Sequence, residues 1–233
     1  MTTPYAFPPA AVAAVPVAGT DTVFPVRRVY CVGRNYVEHA QEMGFSGREA
    51  PFFFCKPADA VVPVADGETR TLAYPSETAN LHHEIELVVA IGKGGRNIAE
   101  DQAASHIFGY AVGLDMTRRD LQLDLRKAGR PWELGKAFDQ SAPIGPIHAI
   151  GSTGEITKGA IRIDVNGEAR QSSDVTKLIW NVNETIAYLS KYFELQPGDL
   201  IFTGTPEGVG AVKAGDLMVG SVEQLGELRV KIS

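Results

Sequence analysis

Three observations predict a β-rich α+β fold for this chain. Short runs of branched and aromatic residues recur, among them RVYCV at 28–32, PFFFCK at 51–56 and IELVVAI at 85–91, and such runs suit strands. Strands do not alternate regularly with helices, which disfavours a doubly wound parallel sheet. With 233 residues, 44% of them hydrophobic, the chain can bury one sizeable core and is short for two.

Taken in order, residues 1–24 read as an irregular arm. The segment is rich in Ala, Val and Pro, lacks a basic start, and carries Pro4, Pro8, Pro9 and Pro16, which would break an apolar helix. Arg28–Val32 reads as a buried strand, Asn35–Met43 as a short helix and Gly44–Ala50 as a polar loop long enough to move. Strands follow at Pro51–Lys56, His83–Ile91 and Phe108–Asp115. The last of these leads into a helix over Arg118–Ala128, with Thr117 as N-cap and Gly129 as its stop. Ile161, Ile163 and Val165 alternate with polar residues up to Asn166-Gly167, a hairpin signal. Asn183 is the expected cap of a helix over Glu184–Phe193 with the stripe Ile186, Leu189 and Phe193, and Pro197-Gly198 precedes a strand at Leu200–Thr203. The final forty residues read as strands and Gly turns.

Charge and composition narrow the function. Lys plus Arg number 22 against 28 Asp plus Glu, a net charge of −6, with no basic block. Nucleic acid and anionic membranes are poor partners for such a chain. No apolar run approaches the roughly 18 to 20 residues of a membrane-spanning helix. Cys31 and Cys55 both sit in apolar runs and read as buried thiols, consistent with a reducing cytoplasm and with neither a disulfide framework nor a cysteine metal site.

The segment His82-His83-Glu84-Ile85-Glu86-Leu87-Val88-Val89-Ala90-Ile91 carries the most chemistry. With a period of two, Glu84 and Glu86 share a face with Val88 and Ala90, while Ile85, Leu87, Val89 and Ile91 take the other. Two carboxylates on a buried strand repel unless a cation lies between them. Alternatively, the pair lies at a strand end and faces water. Asp115, in the otherwise uncharged run GYAVGLDM, adds a third acid, and three carboxylates suit Mg²⁺ or Mn²⁺. His82 shares their parity, leaving a nitrogen ligand and a softer metal open. Arg119 and Gln122 share a helix face beside Asp115, either to hold a substrate carboxylate and carbonyl or as part of a solvated face. Lys136 is either an anchor for an enolate oxygen or a surface lysine. His39 and Glu42, three apart on a helix, form either a general-base pair or a surface contact. The glycines of TGTPEGVG are not followed by Lys-Ser/Thr, so no Walker loop is present; a turn offering hydroxyls and amides is the better reading.

The ordered set VGRNY, HAQE, FFCKP, HHEIEL, GLDMTRRDLQ, GRPWELGKAFD, NGEARQ and PGDLIFTGTPEGVG resembles the fumarylacetoacetate hydrolase family, in its short acylpyruvate hydrolase branch. The resemblance runs from about Arg28 to the C-terminus. It implies curled, partly open mixed sheets over a catalytic domain at 25–233, a homodimer and one Mg²⁺ or Mn²⁺ ion per chain. Carried over by position, it implies Glu84, Glu86 and Asp115 as metal ligands, His39 with Glu42 as a water-activating dyad on a mobile lid, and Arg119, Gln122, Lys136 and Thr205 around a bound keto acid. Lys56 is matched to a pocket lysine. The further acidic ligand of larger members has no counterpart here, so water and substrate are expected to complete the metal's coordination. The expected activity is hydrolysis of the carbon-carbon bond of a small 1,3-diketo acid, with fumarylpyruvate giving fumarate and pyruvate in gentisate-type aromatic breakdown. Arg48 or Arg34, with Arg48 the preferred choice, is expected to meet the distal carboxylate of that substrate. Decarboxylation or isomerisation of oxaloacetate or a related oxo-diacid is the rival enzyme reading, and a silent metal and keto-acid binding protein is the non-enzymatic one.

Overall fold

In the computed structural model, residues 4–36 and 48–233 are described. The central sheet runs in the order Phe52–Lys56, Arg28–Gly33, Asp199–Phe202, Ile85–Ile91, Ile107–Leu114, Ala142–Ile144, Val61–Pro63, with His148–Ala149 also paired to Ile107–Leu114. Its pairings are mixed. Arg28–Gly33 lies parallel to Asp199–Phe202 and Ala142–Ile144 parallel to Val61–Pro63, whereas Ile85–Ile91 is antiparallel to both of its neighbours. A second sheet runs Glu168–Asp174, Ala160–Val165, Leu217–Val222, Glu227–Ile232, Thr69–Leu72. A small third sheet joins Thr117–Arg118, Leu81–His83 and Gly210–Val212.

The period-two alternation of the central strands divides their side chains between two cores. Ile85, Leu87, Val89 and Ile91 join Tyr30, Val32, Val112 and Leu114 in a core shared with Ile161, Ile163, Met218, Leu228 and Val230 of the second sheet. Val88 and Ala90 join Val29, Cys31, Leu200 and Phe202 in a core on the opposite face. Gly220 permits the close approach of the two sheets, since a Cβ there would lie 2.6 Å from Ile85 Cδ1.

Several expectations need correction. The irregular arm contains a hairpin, Ala14–Pro16 with Val23–Pro25, that buries Val15, Val17 and Phe24 in the second of these cores. With strands of three residues each, the hairpin is too short for its period to be read. Cys55 is exposed because its strand lies at the edge of the central sheet, while Cys31 is buried. The expected single strand His83–Ile91 is interrupted at Glu84, where the chain leaves the small sheet and enters the central one. Thr117 caps no helix. The helix Arg119–Lys127 starts without a side-chain cap, and Thr117 Oγ1 donates instead to Asp115 O at 3.0 Å. The later helix is Val182–Tyr192, and its N-cap is Asn181. Asn181 Oδ1 accepts from Glu184 N, and Glu184 Oε2 accepts from Asn181 N; Asn183 stands too close to Glu184 to close this box. Phe193, the last residue of the expected stripe, is partly exposed beyond the helix end, while Ile186 and Leu189 are fully buried.

The hairpin at Asn166-Gly167 forms as read, with both residues at positive φ. The Gly-Asp pairs at 198–199 and 215–216 close equivalent turns. Gln196 N donates to Asp199 Oδ2 and Lys213 N to Asp216 Oδ2, each at 2.9 Å, and each aspartate N–H returns a bond to the carbonyl three residues before it. The expected helix at Asn35–Met43 falls from residue 37 onward outside the described residues, as does the loop up to residue 47. Asn35 and Tyr36 themselves are not helical.

Candidate metal centre

Glu86 lies on Ile85–Ile91 opposite Gly113 of the neighbouring strand, and Asp115 follows directly where that strand ends. Asp115 N donates to Glu84 O at 2.9 Å, which clamps the two segments together at the strand ends. This brings Glu84, Glu86 and Asp115, at most 5% exposed, to within 4.8 Å of one another at their carboxylate oxygens.

Buried cations surround them. Lys136 Nζ donates to Glu84 Oε2 at 2.7 Å, Asp115 Oδ2 at 2.6 Å and Thr117 Oγ1 at 2.7 Å. Its short helix, Glu133–Lys136, packs so tightly on Arg119–Lys127 that a Cβ at Gly135 would meet Gln122 at 2.9 Å. Lys56 Nζ lies 2.8 Å from Asp115 Oδ1 and donates to Lys136 O and Met116 O. Arg119 donates to Glu84 through Nη2 and to Gln122 Oε1 through Nη1. Burial alone would depress the Lys136 ammonium, but Asp115 and Glu84 more than offset it and hold its pKa above the ordinary 10.5. Glu86 is the unbalanced member. Burial, then the charges of Asp115 and Glu84, push its pKa well above the ordinary range, and Gly204 N at 2.8 Å is its donor.

The residues fit a hard divalent cation. The donor set is all oxygen, Glu86 has no direct ammonium partner among these contacts, and the Lys56 ion pair to Asp115 Oδ1 lacks hydrogen-bond geometry, leaving that buried oxygen with lone pairs for a cation. His82 stands apart from the cluster. Its Nδ1 faces Arg119 Nε at 3.4 Å and its Nε2 faces Asn80 Oδ1 at 3.0 Å, and burial and Arg119 lower its pKa to about 4. The softer, nitrogen-ligated alternative therefore has no support in the geometry.

Above these groups a cleft is lined by Gln122, Thr205, Phe54, Trp132 and Arg34 together with the carboxylates. A neighbouring cavity of about 430 Å³ shares Arg34, Phe54 and Trp132 with it and is lined as well by Phe52, Phe53 and Arg130. Phe52 meets Trp132 edge-on at 5.3 Å. The two arginines expected near a distal carboxylate are separated. Arg34 lines both cavities, whereas Arg48 pairs with Glu184 and lies 4.2 Å over the Trp180 ring, away from the cleft lining. Arg48 is held there by an acidic and an aromatic side chain, Glu184 and Trp180. His39 and Glu42 lie outside the described residues.

Sequence reasoning missed Gln171. It is 1% exposed on Glu168–Asp174, and it holds Thr205, Pro206, Ile85 and His83 at once. The available signal was its pairing opposite Ile163, which turns a polar side chain toward the core.

Residues 28–233 match the family model described as the fumarylacetoacetate (FAA) hydrolase C-terminal domain. The chain belongs to the fumarylacetoacetate hydrolase family. Among family members, it is 51% identical over 184 residues to a fumarylpyruvate hydrolase of a Ralstonia species, covering 79% of this chain and 93% of that protein. It is 43% identical to an oxaloacetate tautomerase of Escherichia coli, covering 83% of this chain and 87% of that protein. A crystal structure of fumarylpyruvate hydrolase from Pseudomonas aeruginosa in complex with Mn²⁺ and pyruvate matches with a TM-score of 0.97 at 62% identity, over 98% of this chain and 99% of that one. The curled mixed sheets are thus the family fold. Among the described residues no helix is long and apolar enough to cross a membrane.

Proposed function

We propose that this chain is a divalent-metal-dependent hydrolase that cleaves the carbon-carbon bond of an acylpyruvate, with fumarylpyruvate as its substrate and fumarate and pyruvate as products. The observation that carries the reading is the trio Glu84, Glu86 and Asp115, buried and converging at the floor of a cleft lined with cations. The likeness to fumarylpyruvate hydrolases, one of them solved with Mn²⁺ and pyruvate, supports the choice of reaction and of Mg²⁺ or Mn²⁺.

Glu84, Glu86 and Asp115 would hold the cation, which would supply Lewis-acid charge to the keto-acid end of the substrate. Arg119 and Gln122 orient that end, with the Thr205 hydroxyl on its carboxylate. His39, assisted by Glu42, takes the proton of a water that adds to the distal carbonyl. Collapse of the adduct transfers the bonding electrons to pyruvate as its enolate, which the Lys136 ammonium stabilises before carbon is protonated. Lys56 holds Asp115 and the backbone at Lys136 in place. Arg34 receives the distal carboxylate at the aromatic mouth, and Arg48 serves the outer loop. The working form is a cytoplasmic homodimer in aromatic catabolism, with residues 1–24 as an arm on the catalytic domain 25–233.

The test is an assay of the purified protein with Mg²⁺ or Mn²⁺ on fumarylpyruvate, acetylpyruvate and oxaloacetate, following loss of diketone absorbance and release of pyruvate. Diketone cleavage that stops on chelation is expected. Turnover of oxaloacetate alone would transfer the site to the rival reading, for which the Escherichia coli tautomerase is the specific precedent.

A further inference from the structure

Gln171 sits where every hydrogen-bonding role is dictated by its neighbours. Ile85 N–H can only donate, and it lies 3.1 Å from Gln171 Oε1. Pro206 O can only accept, and it lies 2.7 Å from Gln171 Nε2. The amide is therefore fixed with its oxygen toward the central sheet and its nitrogen toward the Thr203–Pro206 turn. Two consequences follow. His83 Nδ1, 2.9 Å from Oε1, must carry the proton it donates. Thr205 Oγ1, 2.8 Å from Nε2, must accept, so its own proton points elsewhere. Thr205 is 3% exposed and lines the same cleft as Glu86 and Arg119.

We infer that Gln171, reaching across from the second sheet, is a positioning residue that sets the direction of the Thr205 proton and makes that hydroxyl a dedicated donor to an anionic oxygen bound in the cleft. A threonine hydroxyl left to itself rotates and can accept as readily as it donates, so in a cleft that also holds three carboxylates its proton would have no fixed direction. The second hydrogen of the Gln171 amide occupies one lone pair of Oγ1. Thr203 Oγ1 on Leu87 O and Gly204 N on Glu86 fix the backbone of the same turn, so the proton's direction is the freedom that remains. Gln171 touches no substrate atom in this arrangement; it acts through Thr205.

The inference rests on the reading of Thr205 as a carboxylate-binding residue, and the test separates the two. Oxalate binding in the presence of Mg²⁺ is measured by calorimetry for wild type, Gln171→Glu, Gln171→Met, Thr205→Val and both double variants, alongside KM and kcat for acetylpyruvate and thermal midpoints. Gln171→Glu replaces the donor with an acceptor and draws the Thr205 proton away from the cleft. It should weaken oxalate binding and raise KM by about tenfold or more, as expected when a hydrogen bond to a charged group is lost. Gln171→Met, which frees the rotor without reversing it, should weaken both less than Gln171→Glu does. In the Thr205→Val background neither change should cost further affinity. If Gln171→Glu prevents folding, Gln171→Met and its double variant with Thr205→Val complete the same cycle. Losses that multiply in the double variants, or a Gln171→Met loss as large as that of Gln171→Glu, would reduce Gln171 to packing and overturn the inference. Unchanged binding in Thr205→Val would remove the reading of Thr205 and the inference together.

Discussion

The floor and the mouth of the cleft are built on different principles. At the floor, Glu84, Glu86, Asp115, Lys56, Lys136 and Arg119 project from strand ends and short helices and are at most 6% exposed, and all but Glu86 are joined by ion pairs. At the mouth, Arg34, Phe52, Trp132 and Arg130 come from loops and an edge strand, and contact is chiefly between rings. Charge held by rigid backbone suits chemistry that must not vary, and a rim of loops suits a choice of acyl group that can.

The largest expected effect comes from breaking the floor. Glu84→Gln or Glu86→Gln should abolish turnover and weaken Mn²⁺ binding with the fold retained, checked by titration calorimetry and circular dichroism. Full activity in a stringently metal-free preparation would remove the metal from the mechanism.

Lys136→Met comes next. It strands Glu84 and Asp115 without their shared ammonium, and should lower metal-free stability by about 3 kcal/mol or more in urea unfolding. Mn²⁺ should recover part of this loss, because a cation can take over the counter-charge. No recovery would mean that the carboxylates do not share a cation.

Glu86 gives the pH dependence its sign. Its folded pKa is raised by burial and by Asp115 and Glu84, so the metal-free folded state holds a proton there that the unfolded chain releases above its ordinary value of 4.5. Wild-type metal-free stability should therefore fall as pH rises from about that value, and Glu86→Gln should remove that slope. A slope unchanged in the variant would assign it to other groups.

Effects at the mouth should be smaller and selective. Arg34→Ala should cost roughly 2 kcal/mol, about thirtyfold, in kcat/KM on fumarylpyruvate with little change on acetylpyruvate. Arg48→Ala, which breaks an exposed pair with Glu184, should change stability by less than about 1 kcal/mol and treat both substrates alike. A selective loss at Arg48 with none at Arg34 would restore the assignment that sequence alone favours.

Legibility follows the same division. The floor could be read because a period-two strand with acids among core residues is a local pattern with few physical explanations, and Ile85–Ile91 sorts its side chains as that period requires. The setting of Arg48 could not, because its partners, Glu184 and Trp180, lie more than a hundred residues away in sequence. Two misread caps have specific causes. Thr117 has a capping side chain that the strand end and Lys136 claim first, and Asn183 stands two residues from the asparagine whose spacing to Glu184 closes the box. Gln171 escaped notice because an amide in a polar hairpin looks ordinary until its opposite number is known to be a core isoleucine.

The division of Ile85–Ile91 between two faces also constrains how such a chain can diverge. Side chains on a strand have a frame of two, so inserting or deleting a single residue between Glu84 and Ile91 would turn Ile85 and Leu87 toward the cleft or Glu86 into the hydrocarbon. That stretch can change through substitution, or through paired length changes that keep the frame. Arg34 and Arg130 lie outside the strands, so no such frame ties their side chains to one face or the other.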